Sequence, residues 1–246
     1  MRGVTLVREK VTDFNRYPFN IPAIRSLETL ELHPKVTFLV GENGSGKSTL
    51  AEAIAVAAGF NAEGGSKNFT FATRRSGSEL HSVIRLVRGV RRPRTGYFLR
   101  AESYFNVASE IERLDAAPSL GPPIGPSYGP RPLHEQSHGE SFLALVQNRF
   151  SDNGFYVLDE PEAALSPQRQ LSFLISLDEL VCDGKSQFVI ATHSPIILAY
   201  PHATIYALGQ DGIVKTKYED TEHYALTRDF LLDPQRYLRR LIRQPR

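Results

Sequence analysis

Residues 41–49, GENGSGKST, bring together the side chains and glycines that can grip a polyphosphate. Gly41, Gly46, Lys47 and Ser48 satisfy the P-loop pattern G-x-x-x-x-G-K-S/T, and the required strand before and helix after are both readable in the sequence. The glycines let the backbone curl, so that successive amide N–H groups and a helix N-terminus face one anion. The candidate binding set is therefore Gly41, Glu42, Asn43, Gly44, Ser45, Gly46, Lys47, Ser48 and Thr49. Lys47 is expected to bridge β- and γ-phosphate oxygens and Ser48 to ligate magnesium. ATP with Mg2+ is the ligand this chemistry implies.

Three further groups could act on that phosphate. FYVLDE, residues 155–160, is an apolar run ending in two acids, the arrangement known as Walker B. If its strand ends beside the P-loop strand, Asp159 lies near the metal and Glu160 can polarise an attacking water. The bland alternative is that the two acids only end a strand on a solvent-facing turn. His193, in ATHSP after the apolar run FVIA, stands where an imidazole can donate to a γ-phosphate, although a lone histidine is more often structural. Ser137 and Gly139, in SHGES, precede an apolar helix over residues 142–150. A hydroxyl and free amides would then point outward from a positive helix end, an anion site awaiting its anion. The alternative is a helix cap with no ligand.

The elements that must hold these groups follow from pattern. VTFLV at residues 36–40 is continuous, apolar and rich in β-branched residues, as expected of a parallel strand buried on both faces in mid-sheet. Residues 48–58 read as a helix stopped by Gly59. FYVL and FVIA are two more buried strands, separated by a helix that Ser166 caps and Pro167 starts, with Leu171, Leu174, Ile175, Leu177 and Val181 as its apolar side. Between these blocks lies a mixed arm, with alternating segments at residues 82–87 and 96–99 and a helix over 103–114. A loop over 116–132 follows, whose PSLGPPIGPSYGPRP holds six prolines and three glycines.

The combination resembles the ATP-binding-cassette ATPases, particularly the soluble branch near the SMC, Rad50 and RecF proteins and their small stand-alone, AAA-family relatives. Besides the two Walker motifs, SHGES is similar to the signature S-x-G-G/E-Q/S, PEAALS at residues 161–166 to the D-loop, and His193 to the switch histidine. The resemblance implies an α/β fold of the P-loop NTPase type. A mostly parallel central sheet would be flanked by helices, with an antiparallel β arm and a small helical signature subdomain. One domain over 1–246 is expected: the Walker A core and arm at 1–100, the signature subdomain at 101–150, and the Walker B core with a basic C-terminal helix at 151–246. The resemblance also implies a homodimer in which Ser137 and Gly139 of one copy meet the γ-phosphate held by Lys47 of the other. The D-loop departs from the family in ending on Ser166. The glutamine expected between the Walker halves is missing; Glu102 or Ser103 stands at its place, and Glu102 could reach the metal through water. The aromatic that stacks on adenine is Tyr17 or Phe19.

Bulk properties narrow the user of such a cycle. No apolar run approaches the roughly 20 residues of a membrane span. The opening MRGVTLVREK lacks the apolar centre of a secretion signal, so the expectation is a cytoplasmic protein with no membrane insertion. The lone Cys182, between apolar neighbours, is given a structural role. Net charge is only +2, yet arginine outnumbers lysine 22 to 7 and crowds two places. Arg74, Arg75, Arg85, Arg88, Arg91, Arg92, Arg94 and Arg100 lie in the arm. Arg236, Arg239, Arg240 and Arg243 lie at helical spacing against Leu238, Leu241 and Ile242. These are either solvated faces or a surface for nucleic acid. The reading that fits best is a hydrolysing ATPase that controls a protein client or nucleic acid. Its alternatives are the motor subunit of a membrane transporter and an ATP-sensing module without turnover.

Overall fold

The computed structural model describes residues 1–66, 78–101, 109, 111–115, 123–129, 131 and 135–242. Its strands are β1 (Gly3–Leu6), β2 (Thr29–Glu31), β3 (Val36–Val40), β4 (Ile84–Val87), β5 (Thr95–Arg100), β6 (Gly154–Asp159), β7 (Gln187–Ala191), β8 (Ala203–Gly209) and β9 (Gly212–Thr216). The principal helices are α1 (Lys47–Ala57), α2 (His138–Arg149), α3 (Pro167–Cys182), α4 (Glu222–Leu232) and α5 (Pro234–Leu241).

A six-stranded sheet in the order β5-β6-β7-β3-β8-β9 carries the fold, parallel throughout except for the antiparallel hairpin strand β9. Continuous apolar runs form its middle because helices or a second sheet cover both faces. Period-two alternation divides each strand between two cores. Phe38, Tyr156, Leu158, Phe188 and Ile190 turn to one face, where Phe142, Leu145 and Val146 of α2 meet Phe173, Leu177 and Val181 of α3. Leu39, Phe155, Val157, Val189 and Ala191 turn to the other, against Leu50, Ala51 and Ile54 of α1. That second face also holds the antiparallel sheet β2-β1-β4, which is the β arm. No helix among the described residues is long and apolar enough to cross a membrane.

Several expectations need correction. Walker B strand β6 does not lie beside P-loop strand β3, because β7 pairs with both and separates them. Residues 96–99 belong not to the arm but to β5, the parallel edge strand of the main sheet, whose Tyr97, Phe98 and Leu99 are buried on alternate faces. The alternating segment 82–87 begins as the end of a helical turn, Leu80–Val83, before β4. On α3 the buried stripe is Gln170, Phe173, Leu177 and Val181, while Leu171 and Ile175 are 56% and 64% exposed. Cys182 is also exposed, at the last position of α3. Of the proline-rich stretch, the described part includes a 3-10 turn, Gly125–Tyr128, that buries Tyr128 fully and is held by Asp115 accepting from the Ile124 and Gly125 amides. Helical residues 109 and 111–114 lie within the expected helix at 103–114, which runs on to 115; its remaining residues are outside the described ones.

Candidate active site

The loop after β3 turns through glycines at positive φ: Gly41 at 147°, Gly44 at 80° and Gly46 at 98°. At Gly41 a Cβ would come within 2.3 Å of the Leu208 carbonyl oxygen on β8, so only a glycine lets the loop leave the sheet here. Gly44 has nothing within 4 Å of such a Cβ and stands on the open side. Lys47, the first residue of α1, is buried, and its ammonium donates to the Gly41 and Glu42 carbonyls at 2.8 and 3.0 Å. Burial lowers its pKa, opposed by Glu160, Asp159, Glu162 and Glu42. The loop forms one wall of a cavity of about 610 Å3 that Gln210, Asp211, Gly212 and His223 complete.

A smaller pocket of about 110 Å3 is bounded by Ser48, Arg100, Asp159 and Glu160, at the carboxyl end of the sheet. Asp159 ends β6 at 4% exposure. Its Oδ2 accepts from Arg100 Nε at 3.1 Å, while its Oδ1 is buried with no hydrogen-bond partner. Burial raises the Asp159 pKa, with the Arg100 charge and Ser48 pulling it back down. Native structures rarely leave such an atom unpaired, and Asp159 lines a pocket wide enough for a partly hydrated cation. Glu160 follows in the left-handed region at φ 52°, fixed by its amide donating to the Ala191 carbonyl at 2.9 Å. Its Oε1 lies 3.6 Å from His193 Nε2, which is likewise buried without a hydrogen-bond partner. Ser48, Asp159 and Glu160 thus share one pocket, His193 stands against Glu160, and the Lys47 charge interacts with Asp159 and Glu160, even though β7 intervenes between strands β3 and β6.

The adenine candidates separate clearly. Phe19 is core at 4% exposure, whereas Tyr17 is 58% exposed and its hydroxyl lies 3.2 Å from Thr49 Oγ1 at the loop. Ser137 is engaged within its own chain: Ser137 and Glu140 form a reciprocal capping box on α2, and Arg169 NH1 donates to Ser137 Oγ at 2.9 Å. Gly139 is buried beneath the same arginine: a Cβ there would meet Arg169 NH1 at 2.5 Å and the Ala164 carbonyl at 3.0 Å. Among the described residues the side-chain hydrogen bonds of Ser137 run to Glu140 and Arg169 and none reaches the 41–49 loop. Ser166 caps α3 as expected, accepting from the Arg169 amide. Glu102 lies outside the described residues.

The basic clusters also divide. Arg85, Arg88, Arg91, Arg92 and Arg94 are exposed, as are Arg236, Arg239 and Arg240 on α5; Arg74, Arg75 and Arg243 lie outside the described residues. Arg100 is removed from this group, because its guanidinium is clamped between Asp159 and Glu52, the latter at 2.9 Å.

Comparison with known proteins agrees with this site. A family model described as an AAA ATPase domain matches residues 140–198, which contain Asp159, Glu160 and His193. An AAA domain model matches residues 19–109, which contain the phosphate loop. The ABC transporter ATP-binding protein ModF of Escherichia coli (strain K12) is 28% identical over 175 residues. The chain is similar to AAA-type ATPase domains in two separate stretches and to the ATP-binding protein of an ABC transporter. The ModF match takes in 63% of this chain and 35% of ModF, so the chain spans roughly a third of that relative's length. Among solved structures, cbiO1 of Clostridium perfringens, part of the ABC transporter complex cbiONQ, is 15% identical with a TM-score of 0.46, covering 85% of this chain and 88% of that one. The SMC head domain of Thermotoga maritima is 18% identical with a TM-score of 0.41, covering 77% and 93%.

Three residues at the site are not among the candidate residues that the sequence singles out. Arg100 was read as surface charge. Glu162, read only as part of PEAALS, accepts from the Thr192 hydroxyl and the His193 amide and so fixes the strand end that presents the imidazole. Its own pKa is raised by burial. His223, on α4, has its Nε2 2.7 Å from His193 Nδ1. Glu162 is marked as the third acid of the run after Asp159 and Glu160; nothing local marks His223.

Proposed function

We propose that the chain is an ABC-type ATPase that binds ATP with Mg2+, hydrolyses it to ADP and phosphate, and couples the cycle to head-to-tail association of two copies that controls a protein or nucleic-acid client. The carrying observation is that Ser48, Asp159 and Glu160 line one pocket, with His193 Nε2 3.6 Å from Glu160 Oε1 and Lys47 close enough to feel the charges of Asp159 and Glu160, while Asp159 Oδ1 and His193 Nε2 are buried and unpartnered. Ser48 and Asp159 are the magnesium ligands in this reading. Bound magnesium supplies charge neutralisation on the phosphate oxygens. Loop amides and Lys47 hold the phosphates, Glu160 accepts the proton of the attacking water, and a His193 N–H stabilises charge on the γ-phosphoryl oxygens. Tyr17 is the adenine contact. Each site is completed by Ser137 and Gly139 of the second copy, once Arg169 and Glu140 release the capping serine.

Retention of both Lys47 and Glu160 favours turnover over nucleotide sensing alone. The test is phosphate release by purified protein beside Glu160→Gln. Turnover should fall by about 100-fold or more in the variant while ATP binding persists, and light scattering should show the variant as a dimer only with ATP and magnesium. Absence of wild-type turnover, with or without DNA, would sink the hydrolase reading, and a monomer under all conditions would sink the association.

A further inference from the structure

His193 is held from three sides, and the third is unexplained by nucleotide chemistry. Its amide is bound by Glu162, and its Nε2 faces Glu160 Oε1 at 3.6 Å. Its Nδ1 meets Nε2 of His223 at 2.7 Å, the two rings lying 4.9 Å apart at 61°. His223 is the second residue of α4, whose start is fixed by the buried Thr221 accepting from the Tyr224 amide. Burial lowers the pKa of both rings; the Lys47 charge adds to the effect at His193, and His193 itself adds to it at His223. The pair is therefore neutral near pH 7, with one N–H on each ring.

Two neutral imidazoles in contact through Nδ1 and Nε2 share one hydrogen bond, so one ring donates and the other accepts. If His193 donates, its Nε2 carries a lone pair aimed at the Glu160 carboxylate and the phosphate cleft, where both partners are acceptors. If His223 donates, the His193 proton must sit on Nε2, facing those same acceptors. Electrostatics selects the second arrangement, since a donor at 3.6 Å from a carboxylate oxygen is favoured and a lone pair there is repelled.

We propose that His223 is a positioning residue whose Nε2–H fixes His193 as the Nε2–H tautomer, so that His193 offers a donor to the terminal phosphate. The tautomer on a ligating or reacting histidine is set by the bond its other nitrogen makes, and here that bond comes from helix α4. Helix α4 is thereby tied to the phosphate site by a single hydrogen bond. The phosphate part of the proposal rests on the function proposed above; the tautomer itself does not.

The experiment reads the two separately. Two-bond 15N correlations of the histidine rings in the full chain without nucleotide, assigned with His193→Gln, should show His193 protonated at Nε2 and bare at Nδ1. In His223→Leu the His193 signals should move to a mixture of tautomers. ATP turnover should then fall about tenfold or more, the scale on which a positioning partner acts, chiefly in kcat rather than KM. His223→Gln, whose side-chain amide can donate in place of the imidazole, should recover most of both effects. A wild-type His193 protonated at Nδ1, a tautomer unchanged in His223→Leu, or Gln no better than Leu overturns the proposal. A wild-type protein that shows the expected tautomer but hydrolyses no ATP overturns the functional reading and confines His223 to setting the tautomer.

Discussion

Asp159 is a buried carboxylate whose ion-pair partner among the described residues is Arg100, and Arg100 reaches it from the end of the neighbouring strand while also holding Glu52 on α1. Removing one member of a buried ion pair costs more than the pair contributes, because the other charge stays desolvated. Arg100→Gln should therefore destabilise the protein without nucleotide by about 2–4 kcal/mol at neutral pH. The pH dependence has a definite sign. Burial already raises the Asp159 pKa above its ordinary value. Loss of Arg100 raises it further, and a carboxyl raised in the folded state loses stability as pH rises through that value. Urea unfolding should show a larger deficit at pH 8 than at pH 5, and Asp159→Asn in the Arg100→Gln background should recover part of it. An equal deficit at both pH values would assign the cost to Glu52 or to packing instead. Lys47, Ser48, Asp159, Glu160 and His193 were readable because each belongs to a short motif with a fixed chemical reason. Arg100, Glu162 and His223 act through contacts between segments 59, 31 and 30 positions apart, which no local spacing encodes.

At the scale of elements, β3, its loop and α1 form one device, and the loop is braced against β8 at Gly41. A Cβ on Gly41 would press on the Leu208 carbonyl, whereas a Cβ on Gly44 would meet nothing, although both glycines hold positive φ. The two substitutions to alanine share the backbone penalty and differ in the clash. Gly41→Ala should thus cost about 1–3 kcal/mol more than Gly44→Ala, read from urea midpoints of the protein without ligand. Equal midpoints would mean that the loop is not wedged against β8. The strands themselves were visible as apolar runs, but their order was not. The FYVL and VTFLV runs look alike to any neighbour, and β7 enters between them only because the chain returns after α3. Strand β5 was misassigned because Thr95–Arg100 is flanked by arginines that read as surface, one of which turns inward to Asp159. On α3, apolar content suggested Leu171 and Ile175, while the packed face is set by Phe173 and Leu177.

For the whole molecule the open question is whether each phosphate site is completed by its own chain or by another copy. Within one chain, Ser137 is capped by Glu140 and Arg169, so its hydroxyl is engaged before any phosphate arrives. A head-to-tail pair has two composite sites, each using Lys47 of one copy and Ser137 of the other. Lys47→Ala removes the phosphate grip and leaves Ser137 intact. Ser137→Arg, at an exposed position, blocks the cap and leaves Lys47 intact. Each variant alone should be inactive. Mixed in equal amounts, half of the pairs join one variant with the other, and each such pair has one site with both defects and one with neither. Phosphate release should therefore return to about a quarter of the wild-type rate if the two sites act independently. If Ser137 serves the Lys47 of its own chain, every site in the mixture carries a defect and no activity returns. The two outcomes differ in kind rather than degree, because recovery requires a working site assembled from parts that no single chain in the mixture possesses.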